Sequence, residues 1–262
     1  MIITDTKKIR TVIFVAAIFL FAIAAPVKAD WDQGDSYKMH FPQLPDPNGT
    51  DVANYNLSNR EPLLLADDWL CTETGPVTDI HIWGSWKEDS KGEIAFFNVS
   101  IWSDFPDNDG PGDNFSYPNE LLWQHTFSKN EFTERYWGNG SQGFTRVESS
   151  FSTLALTMTP LDHENTWQYN LHINPATAFV QEEGTIYWLA LSPQVNSSEY
   201  QFGWKTSQDD WQDPPVINIL MNPAEIPPEI PYVVHDGLIW TPPRTMECYG
   251  PHRRTGLLCL RD

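Results

Sequence analysis

Apolar and polar side chains alternate along much of the chain. Between Asp79 and Trp86, Ile80 and Ile82 share one parity, while His81 and Trp83 share the other. Successive side chains of a strand point to opposite faces, so this alternation predicts a half-buried β-strand. Glu93 to Ser103 repeats it, with Phe97, Val99 and Ile101 set against Phe96, Asn98, Ser100 and Trp102. Leu121 to Phe127 puts Leu121, Trp123, His125 and Phe127 on one side. Leu154, Leu156 and Met158 alternate with Thr153, Ala155 and Thr157. The cleanest amphipathic strand sets Trp167, Tyr169, Leu171 and Ile173 against Gln168, Asn170, His172 and Asn174. Thr185 to Leu191 is apolar on both faces, as a central strand is. Shorter strands are expected at Leu63 to Leu65 (an edge), Phe132 to Trp137, around Phe202 and Trp204, and at Val216 to Leu220.

No window sustains a 3.6-residue period with caps. Turn signals such as Gly75-Pro76 and Asn139-Gly140 separate the strands, which is the texture of an antiparallel sandwich or barrel. The expected fold is all-β, an antiparallel β-sandwich of jelly-roll type. Residues 63–221 form that domain, and 30–62 read as an irregular lead-in rich in turn formers. The doublet Asp67-Asp68, with Trp69, reads as the rim where the lead-in joins the sandwich. Residues 222–262 hold seven of the chain's 21 prolines. Proline lacks the N–H that a ladder needs, so this part reads as an extended Pro-rich C-terminal tail without a central strand. Its last residues, from Gly250, are basic against an acidic body.

The N-terminus has the layout of a secretory signal peptide. Lys7, Lys8 and Arg10 precede an unbroken apolar run from Val12 to Ala25, and Val27-Lys28-Ala29 supplies a small-residue cleavage site. The run is shorter than the ~20 residues of a membrane span. Cleavage after Ala29 predicts an exported product, secreted or held at the cell envelope, with no membrane span. Net charge sharpens the choice of partner. The chain carries 16 Lys and Arg against 35 Asp and Glu, a formal charge of −19. Such a surface repels phosphate backbones and anionic lipids, which excludes nucleic acid and leaves neutral ligands or cations. Aromatic content of 13% supplies a core and rules out a disordered chain. The three cysteines, Cys71, Cys248 and Cys259, cannot all pair within one chain. Cys248 and Cys259 are close enough in sequence to close a small loop, and Cys71 reads as a buried thiol. Six Asn-x-Ser/Thr sequons, at Asn48, Asn56, Asn98, Asn114, Asn139 and Asn196, suit an exported chain with many polar turns.

The blocks ADDWLC, GPVTDIHIWGSW, FFNVSIWSDFP, SYPNELLWQ, AFVQEEGTIYWLAL and FGWKTSQDDWQD follow one another in that order. Together, over about Leu63 to Pro215, they resemble a domain of unknown function found in exported microbial proteins. Some of those proteins end in a cell-envelope sorting segment of the PEP-CTERM kind. The resemblance implies secretion and an all-β domain, and it brings no assigned activity or catalytic residues. No sorting segment of that kind follows here, which speaks against surface attachment by that route.

Three places carry candidate chemistry. The loop from Asp104 to Asn114 is dense in carboxylates and amides on a Gly-bearing turn, and calcium takes six to eight oxygens of that kind. Asp107, Asp109 and Asp113 are its candidate ligands, without the helices or distal Glu of an EF-hand. On the strands, parity turns His81, Trp83 and Trp102 away from the core, and flat aromatics beside polar groups can stack on sugar rings. The competing role for that face is a second minor core under loops or the lead-in. The third place is acidic: Asp67, Asp68, Asp209, Asp210 and Asp213 lie near Trp69 and Trp211, and a glycosidase needs two carboxylates across a cleft. Adjacent residues of a strand point opposite ways, so neither doublet is itself such a pair. The seven histidines lack metal spacing, and no G-x-S-x-G elbow or Gly-rich phosphate loop occurs. The expected function is a secreted, non-catalytic module that binds a glycan or envelope component. The rivals are a polysaccharide-acting enzyme and a purely structural surface-layer module.

Overall fold

The computed structural model of the chain describes residues 31–32, 43–54, 64–107, 115–150, 153–208, 213, 215–219, 224, 226, 232–235, 238–242 and 259–261. For 147–150, 153–156 and 259–261 it describes the backbone alone. The expected signal segment, Cys248, Asp109, Asp113 and Asp209 to Gln212 lie outside the described residues. The chain divides into two units, Met1–Asp30 and Trp31–Asp262, and all described residues belong to the second. Among them no helix is long and apolar enough to cross a membrane.

Among the described residues fifteen strands follow one another: β1 (Thr50–Ala53), β2 (Leu65–Leu70), β3 (Gly75–Pro76), β4 (Asp79–Trp86), β5 (Ile94–Phe105), β6 (Tyr117–Ser128), β7 (Phe132–Ser150), β8 (Thr153–His172), β9 (Val180–Gln181), β10 (Ile186–Val195), β11 (Phe202–Lys205), β12 (Val216–Asn218), β13 (Val233–His235), β14 (Leu238–Thr241) and β15 (Cys259–Arg261). They build a six-stranded sheet, β11-β1-β7-β8-β4-β15, and a seven-stranded sheet, β13-β14-β12-β2-β10-β5-β6, with β3 and β9 as a small ribbon. Pairing is antiparallel throughout, apart from the parallel β1–β7 contact. The architecture is the all-β sandwich that alternation predicts. One sheet adds a feature of its own. β11 pairs with β4 as well as β1, so β11, β1, β7, β8 and β4 close into a ring.

Parity decides what fills the sandwich. Ile80, Ile82, Phe97, Val99, Ile101, Tyr169, Leu171, Leu189, Leu191, Phe202 and Trp204 are all buried in one cluster. Phe97 joins the two sheets, meeting Phe132 at 5.0 Å, Tyr169 at 5.5 Å and Phe202 at 6.5 Å between ring centroids, each edge-on. Edge-to-face contact suits the quadrupole of aromatic rings and adds to the gain from burial. Gly84 is required in this packing. A Cβ there would lie 2.2 Å from Cζ of Phe202.

Because the ring closes, its face turned away from the seven-stranded sheet is enclosed, and this face is polar. Ser85 Oγ and Thr166 Oγ1 both donate to Gln142 Oε1, at 3.2 and 3.1 Å. Lys205 Nζ donates to Asp51 Oδ2 at 3.0 Å, and His163 Nε2 lies 2.9 Å from the same oxygen. The other ring nitrogen of His163 lies 3.1 Å from Asp162 Oδ1. The side chains of Asp51, Lys205 and His163 are fully buried. Burial alone would lower the His163 pKa, but its hydrogen bonds to Asp51 and Asp162 and the Asp51 charge outweigh it and raise it.

Several expectations change here. The lead-in is not wholly irregular: its four-residue β1 fills a ring position between β11 and β7. Asp67 and Asp68 are not a rim. They lie within β2, between β12 and β10, and both are fully buried. Asn139-Gly140 is not a hairpin turn but part of the 19-residue β7, where the pairing register shifts repeatedly between Tyr136 and Phe144. Such bulges absorb turn-like residues inside a strand. The tail contains β13 and β14, and β14 is not at the sheet edge. Its proline-free Leu238–Thr241 pairs on both sides, with β12 and β13. Cys71 is buried, as expected.

Candidate functional site

The aromatic platform does not form as expected. β4 belongs to the six-stranded sheet and β5 to the seven-stranded one, so Trp83 and Trp102 share no face. Trp83 is buried with Trp31, its ring centroid 5.9 Å from that of Trp31 and 5.2 Å from that of Trp137. His81 is buried beside it, with Nδ1 against Oδ1 of Asn170. Trp31 comes from the lead-in, and its carbonyl accepts from Gln168 Nε2 at 3.0 Å, which ties Trp31 to this face. Trp102 is half-buried on the outer face of the seven-stranded sheet. Its indole donates to Ser100 Oγ at 2.8 Å and its ring meets Trp240 edge-on at 6.4 Å. Both surfaces are therefore minor cores, the competing reading that the sequence allowed.

Two of the acidic candidates, Asp68 and Asp213, meet on the outer face of the seven-stranded sheet. Asp68 of β2, Trp188 of β10 and Trp102 of β5 lie in one cross-strand row. Asp68 Oδ1 accepts from the Asp213 backbone N–H at 3.3 Å, and Asp213 Oδ2 accepts from Ser116 Oγ at 2.7 Å. Trp188 Nε1 donates to Asp104 Oδ1 at 2.8 Å. Asp68 Oδ2 is buried without a hydrogen-bond partner. Burial, with the nearby charges of Asp67, Asp213 and Asp104, pushes the Asp68 pKa up to about 10. Burial also raises Asp104, against the pull of its hydrogen bond from Trp188. At neutral pH Asp68 is thus a neutral acid sealed under aromatic side chains, out of reach of a substrate. Asp107 is exposed where β5 gives way to the loop, and its expected partners Asp109 and Asp113 lie outside the described residues. Among the described residues no group of three or more His, Cys, Asp or Glu could hold a metal ion.

An open aromatic corner stands elsewhere, at the end of the ring's long strands. Tyr136 of β7 and Trp167 of β8 are register partners, and their rings meet edge-on at 5.8 Å. Tyr136 is 51% exposed and Trp167 half-buried. Lys91 Nζ sits 4.7 Å from the centroid of the Trp167 ring and 2.8 Å from Glu134 Oε1. A short turn at Lys87–Asp89 supports the corner. There Asp89 takes a left-handed φ of 53° and its carboxylate accepts from the backbone N–H groups of Glu164 and Asn165, each at 2.9 Å. The corner combines two aromatic rings with a cation and a carboxylate. Such a set can stack on a sugar ring and hydrogen-bond its hydroxyls, and it contains no activated nucleophile. Strand parity alone hides it. Trp167 has the parity of the core, and only the three-dimensional extent of the opposing sheet shows that the cover stops short of it.

The pattern of a family described as a domain of unknown function (DUF7901) matches residues 39–234 of the chain. No curated protein and no solved structure matches.

Proposed function

The chain belongs to the DUF7901 family, and from that premise we propose that it is an exported, non-catalytic β-sandwich module that binds a glycan or another cell-envelope component at the Tyr136–Trp167 corner. One observation carries the reading: an edge-on aromatic pair with Tyr136 exposed and Trp167 half-buried, braced by the Lys91–Glu134 ion pair. Export rests on the N-terminal segment, and the envelope setting on the resemblance to proteins of the PEP-CTERM kind. The non-catalytic reading is favoured over a polysaccharide-acting enzyme by the burial of Asp67 and Asp68, since a glycosidase needs its carboxylates at the cleft surface.

Affinity electrophoresis through gels cast with a panel of neutral and acidic polysaccharides tests this. The panel is run with and without calcium, the ion that the chemistry of the 104–114 loop suits. At least one polysaccharide is expected to retard the protein. The double variant Tyr136→Ala/Trp167→Ala, with its folded state checked by circular dichroism, is expected to bind about tenfold more weakly, the loss of about 1.4 kcal/mol of stacking. Retardation by no polysaccharide, or retardation indifferent to the double substitution, contradicts the proposal.

A further inference from the structure

We propose that Asp51 and Lys205 condense to an intramolecular isopeptide bond that staples β1 to β11. The two residues are register partners on adjacent antiparallel strands, so their side chains leave the sheet together. Lys205 Nζ lies 3.0 Å from Asp51 Oδ2, and both side chains are fully buried inside the closed ring. His163 Nε2 lies 2.9 Å from that same oxygen and is held from behind by Asp162. Asp51 Oδ1 is buried without a hydrogen-bond partner. The surroundings are tight. Phe144 meets the His163 ring edge-on at 6.0 Å, and a Cβ on Gly203 would fall 2.7 Å from Cβ of Asp51.

This arrangement holds a nucleophile, an electrophile and an acid within contact distance and away from water. Buried charges are costly even when paired. Condensation removes the ammonium and the carboxylate together and leaves a neutral amide. The Lys205 ammonium first gives a proton to the carboxylate, and the free amine attacks Cγ of Asp51 to form the N–C bond. His163 protonates Oδ2, the Cγ–Oδ2 bond breaks, and Oδ2 departs as water. The proton left on the new nitrogen returns to His163, and Oδ1 remains as the amide oxygen. Ammonium and carboxylate thus become amide plus one water, with no change in oxidation state and no co-reactant. A single turnover suffices for the life of the molecule, so the step can be slow. The bond would close a loop between residues 154 positions apart. It would act as a covalent tie between β1 and β11.

Intact-mass spectrometry of the folded, purified protein tests this, followed by proteolysis and sequencing of linked peptides. The expected mass is that of the mature sequence less one water, with the loss mapped to a peptide joining Asp51 to Lys205. Lys205→Met and Asp51→Ala are each expected to restore the full mass. His163→Gln is expected to accumulate the bond more slowly after synthesis. Wild-type protein that stays at full mass on prolonged incubation overturns the proposal, as does a water loss mapped to any other pair. The wild-type measurement decides the matter even where a variant fails to fold. A bond that forms as fast in His163→Gln overturns the role given to that imidazole.

Discussion

Replacing Asp68 by Asn is expected to stabilise the fold at neutral pH and to change little near pH 4. The folded carboxyl is pushed from its ordinary value of 3.8 up to about 10, chiefly by burial. Between those values the folded chain keeps a proton that the unfolded chain has released. Stability from this group is therefore full below about pH 4 and falls as the pH rises towards 10. The loss is about 1.4 kcal/mol per pH unit, so roughly 4 kcal/mol has gone by pH 7. Asparagine cannot ionise. Its amide oxygen can keep the hydrogen bond from the Asp213 N–H, and its NH₂ stands in for the protonated oxygen. Urea midpoints of both proteins from pH 4 to pH 9 should start together and diverge, with the variant higher. Parallel curves would show that Asp68 ionises in the fold without penalty.

Asp51→Ala is expected to be among the most damaging single substitutions in the ring. It leaves the Lys205 ammonium and the His163 imidazole facing each other in a fully buried space with no anion between them. Removing one partner of a buried ion pair costs about 3–5 kcal/mol, a large share of the 5–15 kcal/mol that holds a typical domain. The informative comparison is among variants, none of which can form the cross-link. Asp51→Ala/Lys205→Met removes the stranded cation along with its partner and should be more stable than Asp51→Ala alone. Chemical denaturation of the two settles the point. Equal midpoints would mean that the uncompensated charge is not the source of the damage.

Strand faces were legible in the sequence because alternation is a local property. The inward parity of Ile80, Ile82, Phe97, Val99, Ile101, Tyr169 and Leu171 needs only the neighbouring residues, and all of these are buried. Sheet membership is not local. Trp83 and Trp102 look like companions from adjacent strands, yet β4 and β5 belong to different sheets. The pairing that decides this is made with β8, β10 and β11, far along the chain. Asp67-Asp68 misleads for another reason. A charged doublet suggests a surface rim, but burial here holds the Asp68 carboxyl protonated, and no composition rule signals that. β1 is too short for periodicity to register, and the strand character of β13 and β14 is masked by the prolines beside them. The Tyr136–Trp167 corner is legible only once the reach of the opposing sheet is known.

Binding of ligand at that corner is the proposal on which the function rests. The most direct measurement is a two-dimensional NMR spectrum of the indole N–H groups during titration with a polysaccharide that retards the protein. The chain has 12 tryptophans, and each described one occupies a distinct environment. The Trp167 signal is expected to shift in proportion to ligand, while the buried Trp69, Trp86, Trp188 and Trp204 stay still. Movement of Trp102 and Trp240 with Trp167 unmoved would place the site on the outer face of the seven-stranded sheet and contradict binding at the corner.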